Sequence, residues 1–73
     1  MPVELRRADP TRNMRRFYRL DLQPDLFRRV MLMKQWGRVG TQGRMMMESF
    51  DSETLALAAL RRQAERQRQR GYA

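Results

Sequence analysis

Apolar and charged positions alternate at the start of the chain (Val3, Glu4, Leu5, Arg6, Arg7). This period of two predicts a strand over residues 3–7. Asp9-Pro10-Thr11 predicts a turn, since proline supplies the fixed φ of the second turn position. Residues 15–22 return to alternation. Tyr18, Leu20 and Leu22 share one face and Arg19 and Asp21 the other, as in a half-buried strand. After a second turn at Gln23-Pro24-Asp25, an apolar and β-branched run over 26–36 predicts the central strand, with Val30 and Leu32 alternating with Arg29, Met31 and Met33. Gly40-Thr41-Gln42-Gly43 predicts a compact hairpin loop whose glycines take positive φ, and Arg44–Phe50 returns as a further strand. Met45, Met46 and Met47 within it cannot all face a core on a pleated strand. At least one points outward, or the strand is covered on both sides.

Asp51-Ser52-Glu53 is a helix start, with capping oxygens and then a carboxylate in the first turn. The helix runs to about Arg70 and stops at Gly71, a residue favoured just past a C-terminus. Ala56, Leu57, Leu60 and Ala64 form its apolar stripe, extended by Gln67. Arg62, Arg66 and Arg70 recur every four residues and predict a basic row on the opposite side. Arg61 and Arg68 flank the stripe. Four strands followed by one helix make the pattern α+β.

Composition narrows the function. The chain has 73 residues, of which 16 are Lys or Arg and 8 are Asp or Glu, for a net charge of +8. A chain this short buries only about 60% of its unfolded surface, leaving no room for a large enclosed pocket. Cys and His are both absent. That removes disulfides, a thiol nucleophile, the usual soft metal ligands and the usual general base. Glu4, Asp21, Asp25 and Glu48 carry no pairing that would suit acid–base chemistry, and they balance nearby arginines. An enzyme is not expected, nor a cofactor or metal. The cationic side chains are arginines except for Lys34. Arginine presents a planar fork of donors that suits phosphate and stacks on flat rings, so the excess implies an anionic partner, with nucleic acid the commonest. The opening residues lack an apolar stretch that could serve as a signal peptide, and the run over 55–60 is far short of the roughly 20 residues that cross a bilayer. A soluble, cytoplasmic chain that binds no membrane is expected. The helix stripe, rich in Ala and without an aromatic anchor, also argues against membrane binding.

The most specific stretch is Gln35-Trp36-Gly37-Arg38-Val39-Gly40. It belongs to an ordered set: Asn13-Met14-Arg15-Arg16-Phe17-Tyr18 opening one strand, Trp36-Gly37-Arg38 closing the next, Gly43 in the hairpin, Glu48-Ser49-Phe50-Asp51-Ser52-Glu53 leading into the helix, and Arg70-Gly71-Tyr72 ending it. This set resembles the WGR domain family, in particular its short bacterial members. The resemblance covers nearly all of residues 3–72, so a single domain over 1–73 is expected. It implies a small antiparallel β-sheet of about four strands with one C-terminal α-helix packed on it, and no catalytic ADP-ribosyl transferase domain. In DNA-dependent poly(ADP-ribose) polymerases the WGR module helps grip DNA at a strand break; the motif Trp stacks on the sugar of a terminal nucleotide and the motif Arg makes contacts between domains. By position, Trp36 would be the stacking residue and Arg38 the contact arginine. The chain departs from its bacterial relatives at Arg28-Arg29-Val30, where they tend to carry a Gly-Gly-Trp-like stretch after a Leu-Phe pair.

Two readings of Trp36 stand at this point: a core anchor beneath the helix, or an exposed face for stacking. Lys34, Arg38 and Arg44 around the hairpin are candidate phosphate ligands, and Arg62, Arg66 and Arg70 on the helix are either a stripe that tracks a backbone or a solvated face. Gly37, Gly40 and Gly43 are turn requirements, their spacing matching neither a P-loop nor a dinucleotide fingerprint. Phe17, Leu20, Leu32, Phe50 and Leu60 are assigned to the core. The expected function is a non-catalytic nucleic-acid-binding module, DNA before RNA and with strand ends as a target. The alternative is an adaptor that docks an acidic protein through Met45–Met47 and the helix. An exposed edge at residues 3–7 would allow strand-to-strand dimerisation.

Overall fold

The computed structural model describes residues 2–73. Four strands, β1 (Val3–Asp9), β2 (Met14–Pro24), β3 (Val30–Arg38) and β4 (Arg44–Phe50), precede one helix, α1 (Glu53–Gln69). The strands form a single antiparallel sheet in chain order, and α1 lies across one face. The α+β arrangement is the one expected.

Parity along the strands decides which residues face the helix. Leu5 lies opposite Tyr18, Tyr18 opposite Trp36, and Leu22 opposite Leu32. Directly opposed residues project from the same side of a sheet. That side carries the buried cluster of Leu5, Tyr18, Leu20 and Leu32, closed from above by Leu60 and Ala64, with Val3, Leu22, Trp36, Phe50, Ala59 and Tyr72 packed around it. Leu20 and Leu32 are fully buried. The helix stripe is close to that expected: Ala56, Leu60, Ala64 and Gln67 are buried, and Leu57 is half-buried. Phe17, assigned to the core from sequence, is not part of it. Since Tyr18 faces the helix, Phe17 must project from the opposite face, where it is half-buried among Arg6, Arg19 and Gln35.

The central strand also begins later than its apolar run suggests. Leu26 and Phe27 lie in the β2–β3 loop and are 96% and 81% exposed. Asp25 causes this. Its carboxylate accepts hydrogen bonds from the amides of Phe27 at 2.7 Å and Arg29 at 2.8 Å, and its own amide donates to the Arg29 carbonyl at 2.9 Å. Side chain and backbone together fold residues 25–29 into a closed turn before pairing resumes at Val30. Arg29 is then tied to Asp51 at 2.7 Å, which joins the loop to the segment before the helix.

The helix starts as its sequence indicates, with Ser52 Oγ accepting from the Leu55 amide at 3.2 Å. Its end has a further consequence. Gly71 takes φ of +96°, its amide donates to the Arg68 carbonyl, and the Tyr72 amide donates to that of Gln67. This pair of bonds is a Schellman ending, which turns the chain back on itself. It sends Tyr72 against Tyr18 and brings Ala73 to the outer edge of β1, where Ala73 and Arg6 exchange two backbone hydrogen bonds of 2.9 Å each. The β1 edge, expected to be open, is therefore closed at Arg6. Among the described residues, no helix is long and apolar enough to cross a membrane.

Candidate nucleic-acid interface

Two adjacent rows of side chains, running across the strands on the helix side, build the site. The inner row is Leu5, Tyr18, Trp36 and Arg44, one residue from each strand in direct register. The next row outward is Arg7, Arg16 and Arg38, again opposite one another on β1, β2 and β3. Opposed residues hold their Cβ atoms about 4.5–5.5 Å apart, and like charges so placed destabilise a sheet. None of these three arginines forms an ion pair among the described residues. The charge of Arg7 acts on nearby Asp9, but the ladder as a whole sets three guanidinium groups side by side at the rim of the core.

Between the ladder, the inner row and the end of α1 lies a cleft of about 370 Å³, lined by Arg7, Arg16, Tyr18, Trp36, Gln63, Gln67, Arg70 and Tyr72. Trp36 is neither sealed in the core nor free of it. It is half-buried and lies nearly parallel to Tyr18, with ring centroids 5.8 Å apart and planes 12° apart. Tyr72 meets Tyr18 edge-on, with centroids 6.0 Å apart. Packing on Tyr18 leaves the remaining indole surface to line the cleft, and among the described residues no acceptor meets its N–H. Gln63 donates to the Tyr18 hydroxyl at 2.8 Å. Burial raises the Tyr18 pKa above its ordinary value, against the lowering effect of that hydrogen bond and of the positive charges on Arg70 and Arg66. The phenol therefore stays neutral at physiological pH and presents a flat, uncharged ring.

The glycine of the Trp36-Gly37-Arg38 motif has a specific steric role. A Cβ on Gly37 would lie 2.7 Å from the Cα of Gly43 across the hairpin, and a Cβ on Gly43 would run into the Trp36 carbonyl. Gly43 also has a φ of +66°, in the left-handed region that favours glycine. These two residues let the ends of β3 and β4 close tightly, which places Trp36 and Arg44 opposite each other. Gly43 is the turn requirement expected, whereas Gly37 serves close approach of two backbones.

The structure brings Trp36, Arg38 and Arg44 together at one end of the sheet. Lys34 lies one step inward on the same face, half-buried and paired with Glu48 at 3.5 Å. Arg66 is exposed but close enough for its charge to act on Tyr18. Arg62 stands on the outer side of the helix, since two residues beyond buried Leu60 is about 200° around it. The basic row does not stay opposite the apolar stripe as expected. Each step of four residues overshoots a turn by about 40°, so Arg70 has rotated far enough to line the cleft. Arg7, Arg16, Gln63 and Tyr72 are absent from the sequence-derived set, which held Arg70 only as part of the helix row. For Arg7 and Arg16 a signal existed: they continue the alternation Val3, Leu5, Arg7 and Leu20, Tyr18, Arg16 on the core-facing side.

The chain matches the family model described as WGR domain over residues 1–73. A curated relative, an uncharacterized protein (y4dW) from Sinorhizobium fredii strain NBRC 101917 / NGR234, is 41% identical over 66 residues, which cover 90% of this chain and 32% of that protein. The chain thus spans about a third of that relative's length. No solved structure matches the chain.

Proposed function

The chain belongs to the WGR domain family, and from that premise we propose that it is a non-catalytic nucleic-acid-binding module, with DNA and strand ends as the favoured target. The observation that carries this reading is the register-matched ladder Arg7, Arg16 and Arg38 beside an incompletely covered indole. Guanidinium groups that form no ion pair among the described residues supply phosphate contacts, which position a nucleic acid. The Trp36 surface supplies stacking on a sugar or base, in keeping with the role of the motif Trp that the family resemblance implies. Stacking of this kind is worth roughly 1–3 kcal/mol in single-strand binders. Arg38 and Arg44 flank the indole, Arg66 and Arg70 approach from the helix, and Lys34 adds charge one row in; Arg62 would contribute only through the general field. Three of the four carboxylates that could have suggested catalysis are engaged in other ways: Glu4 with Arg6, Glu48 with Lys34, Asp25 with its own loop.

The test is a titration of labelled linear duplex, circular duplex and single strand at several salt concentrations. With three to five phosphates neutralised, the slope of log K against log salt should be about −3 to −5 on duplex. Linear DNA should bind more tightly than circular DNA, and Trp36→Ala should remove that difference while leaving the salt slope in place. Absence of saturable binding to any of the three near physiological salt would falsify the proposal.

A second reading, an adaptor that docks an acidic protein, is favoured by the exposure of Met45, Met46 and Met47. It predicts that an acidic protein is captured by the wild-type chain and lost when those methionines are replaced by Ser.

A further inference from the structure

The two edges of the sheet end differently. The β1 edge carries Glu4 and Arg6 and is closed by the bonds between Arg6 and Ala73. The β4 edge has no partner strand among the described residues. Natural proteins blunt such edges with lysine, proline or a bulge, because an open edge templates pairing with another chain. β4 has none of these, and its two charged residues, Arg44 and Glu48, are of opposite sign. Its register to β3 runs unbroken from Arg44 to Phe50, and Met45, Met46 and Met47 are 58%, 53% and 44% exposed.

We propose that this edge pairs with the same edge of a second copy, antiparallel about a two-fold axis at Met46, so that two four-stranded sheets become one continuous sheet. Outward-facing backbone groups alternate along a strand, so a symmetric antiparallel pair must be centred on a residue. Centring on Met46 sets Arg44 against the partner's Glu48, twice by symmetry, and Met45 against the partner's Met47. Centring on Met47 would set Arg44 against the partner's Phe50 and Met46 against the partner's Glu48. Centring on Met45 would set Arg44 against the partner's Met46. Only the Met46 centre matches charge to opposite charge and methionine to methionine. Lys34 already holds Glu48 at 3.5 Å, so each Glu48 would sit between two cations. The charges of the strip cancel, Arg44 against Glu48, and this suits a second copy better than a strongly acidic partner. Arg7 and Arg16 lie on β1 and β2, away from this edge, and residues 44–49 are all exposed beside the helix, so α1 does not block the approach; the general repulsion between two chains of charge +8 is screened over about 10 Å at 0.1 M salt. The inference does not rest on the nucleic-acid reading, although the two share Arg44 and Lys34, and it is tested without nucleic acid.

Sedimentation equilibrium would be run on the full chain, on Arg44→Glu, on Glu48→Arg, and on an equimolar mixture of the two variants. The wild-type chain should dimerise below about 1 mM. Each variant alone sets like charges against each other at both pairs and should dimerise roughly tenfold more weakly, or less well still. The mixture restores opposite charges at both pairs and should recover the wild-type affinity. Met46→Glu, which sets two carboxylates against each other on the axis, should also weaken the dimer, and circular dichroism should show all variants folded. A wild-type chain that stays monomeric through about 1 mM overturns the proposal. So does a dimer indifferent to these substitutions, or a mixture that fails to recover.

Discussion

Arg28 shows how a single residue can be out of step with its backbone. It takes φ of +63° in the β2–β3 loop, a conformation that brings Cβ against the following carbonyl and costs about 1–2 kcal/mol in a residue other than glycine. Arg28→Gly should therefore stabilise the fold by about 1 kcal/mol, less than the full strain because glycine gains entropy in the unfolded chain. In a domain of this size that raises the melting temperature by about 4–8 °C, which a thermal melt followed by circular dichroism would measure. Asp25, by contrast, was legible as a turn residue, yet the extent of its hold was not. Two amides captured by one carboxylate move Leu26 and Phe27 out of the predicted strand, and no count of apolar residues could anticipate that.

At the level of elements, the proposed function would tie stability and binding to the same side chains of the arginine ladder in opposite directions. Arg16 stands between Arg7 and Arg38 in register and so experiences both repulsions. Arg16→Gln should raise the melting temperature at low salt, by the equivalent of up to about 1 kcal/mol, and should weaken nucleic-acid binding while lowering the salt slope by about one. Thermal melts and titrations on the same preparations would check both signs. A variant that lost stability and binding together would point to a packing role instead. Each element of the fold was readable from hydrophobic period and capping: alternation for β2, Ser52 and Gly71 for the helix limits. The ladder was not, because register across two hairpins depends on turn lengths to the residue. A shift of one position sends every side chain to the opposite face.

For the whole molecule, the net charge of +8 acts on folding as well as on partners. Many of the exposed cations lack a carboxylate within reach, and the compact state brings them closer together than the unfolded chain does. Self-repulsion of this kind is screened over about 10 Å at 0.1 M salt. The melting temperature should consequently rise as salt increases from about 0.02 to 0.2 M. A fall over that range would mean that internal ion pairs such as Arg29 with Asp51 outweigh the general repulsion. The sequence by itself determined the chain's own excess of positive charge, the four strands and the helix, the two alternating faces, and the family resemblance at Trp36, Gly37 and Arg38. These are properties of composition and local period, which a chain carries before it folds. Only the tertiary structure decided that Trp36 shares its faces between core and cleft, that Arg70 and Tyr72 join Arg7 and Arg16 around it, and that β1 is closed while β4 is open. Each of those depends on where distant segments meet, and that is set by hairpin register, helix rotation and the chain reversal at Gly71.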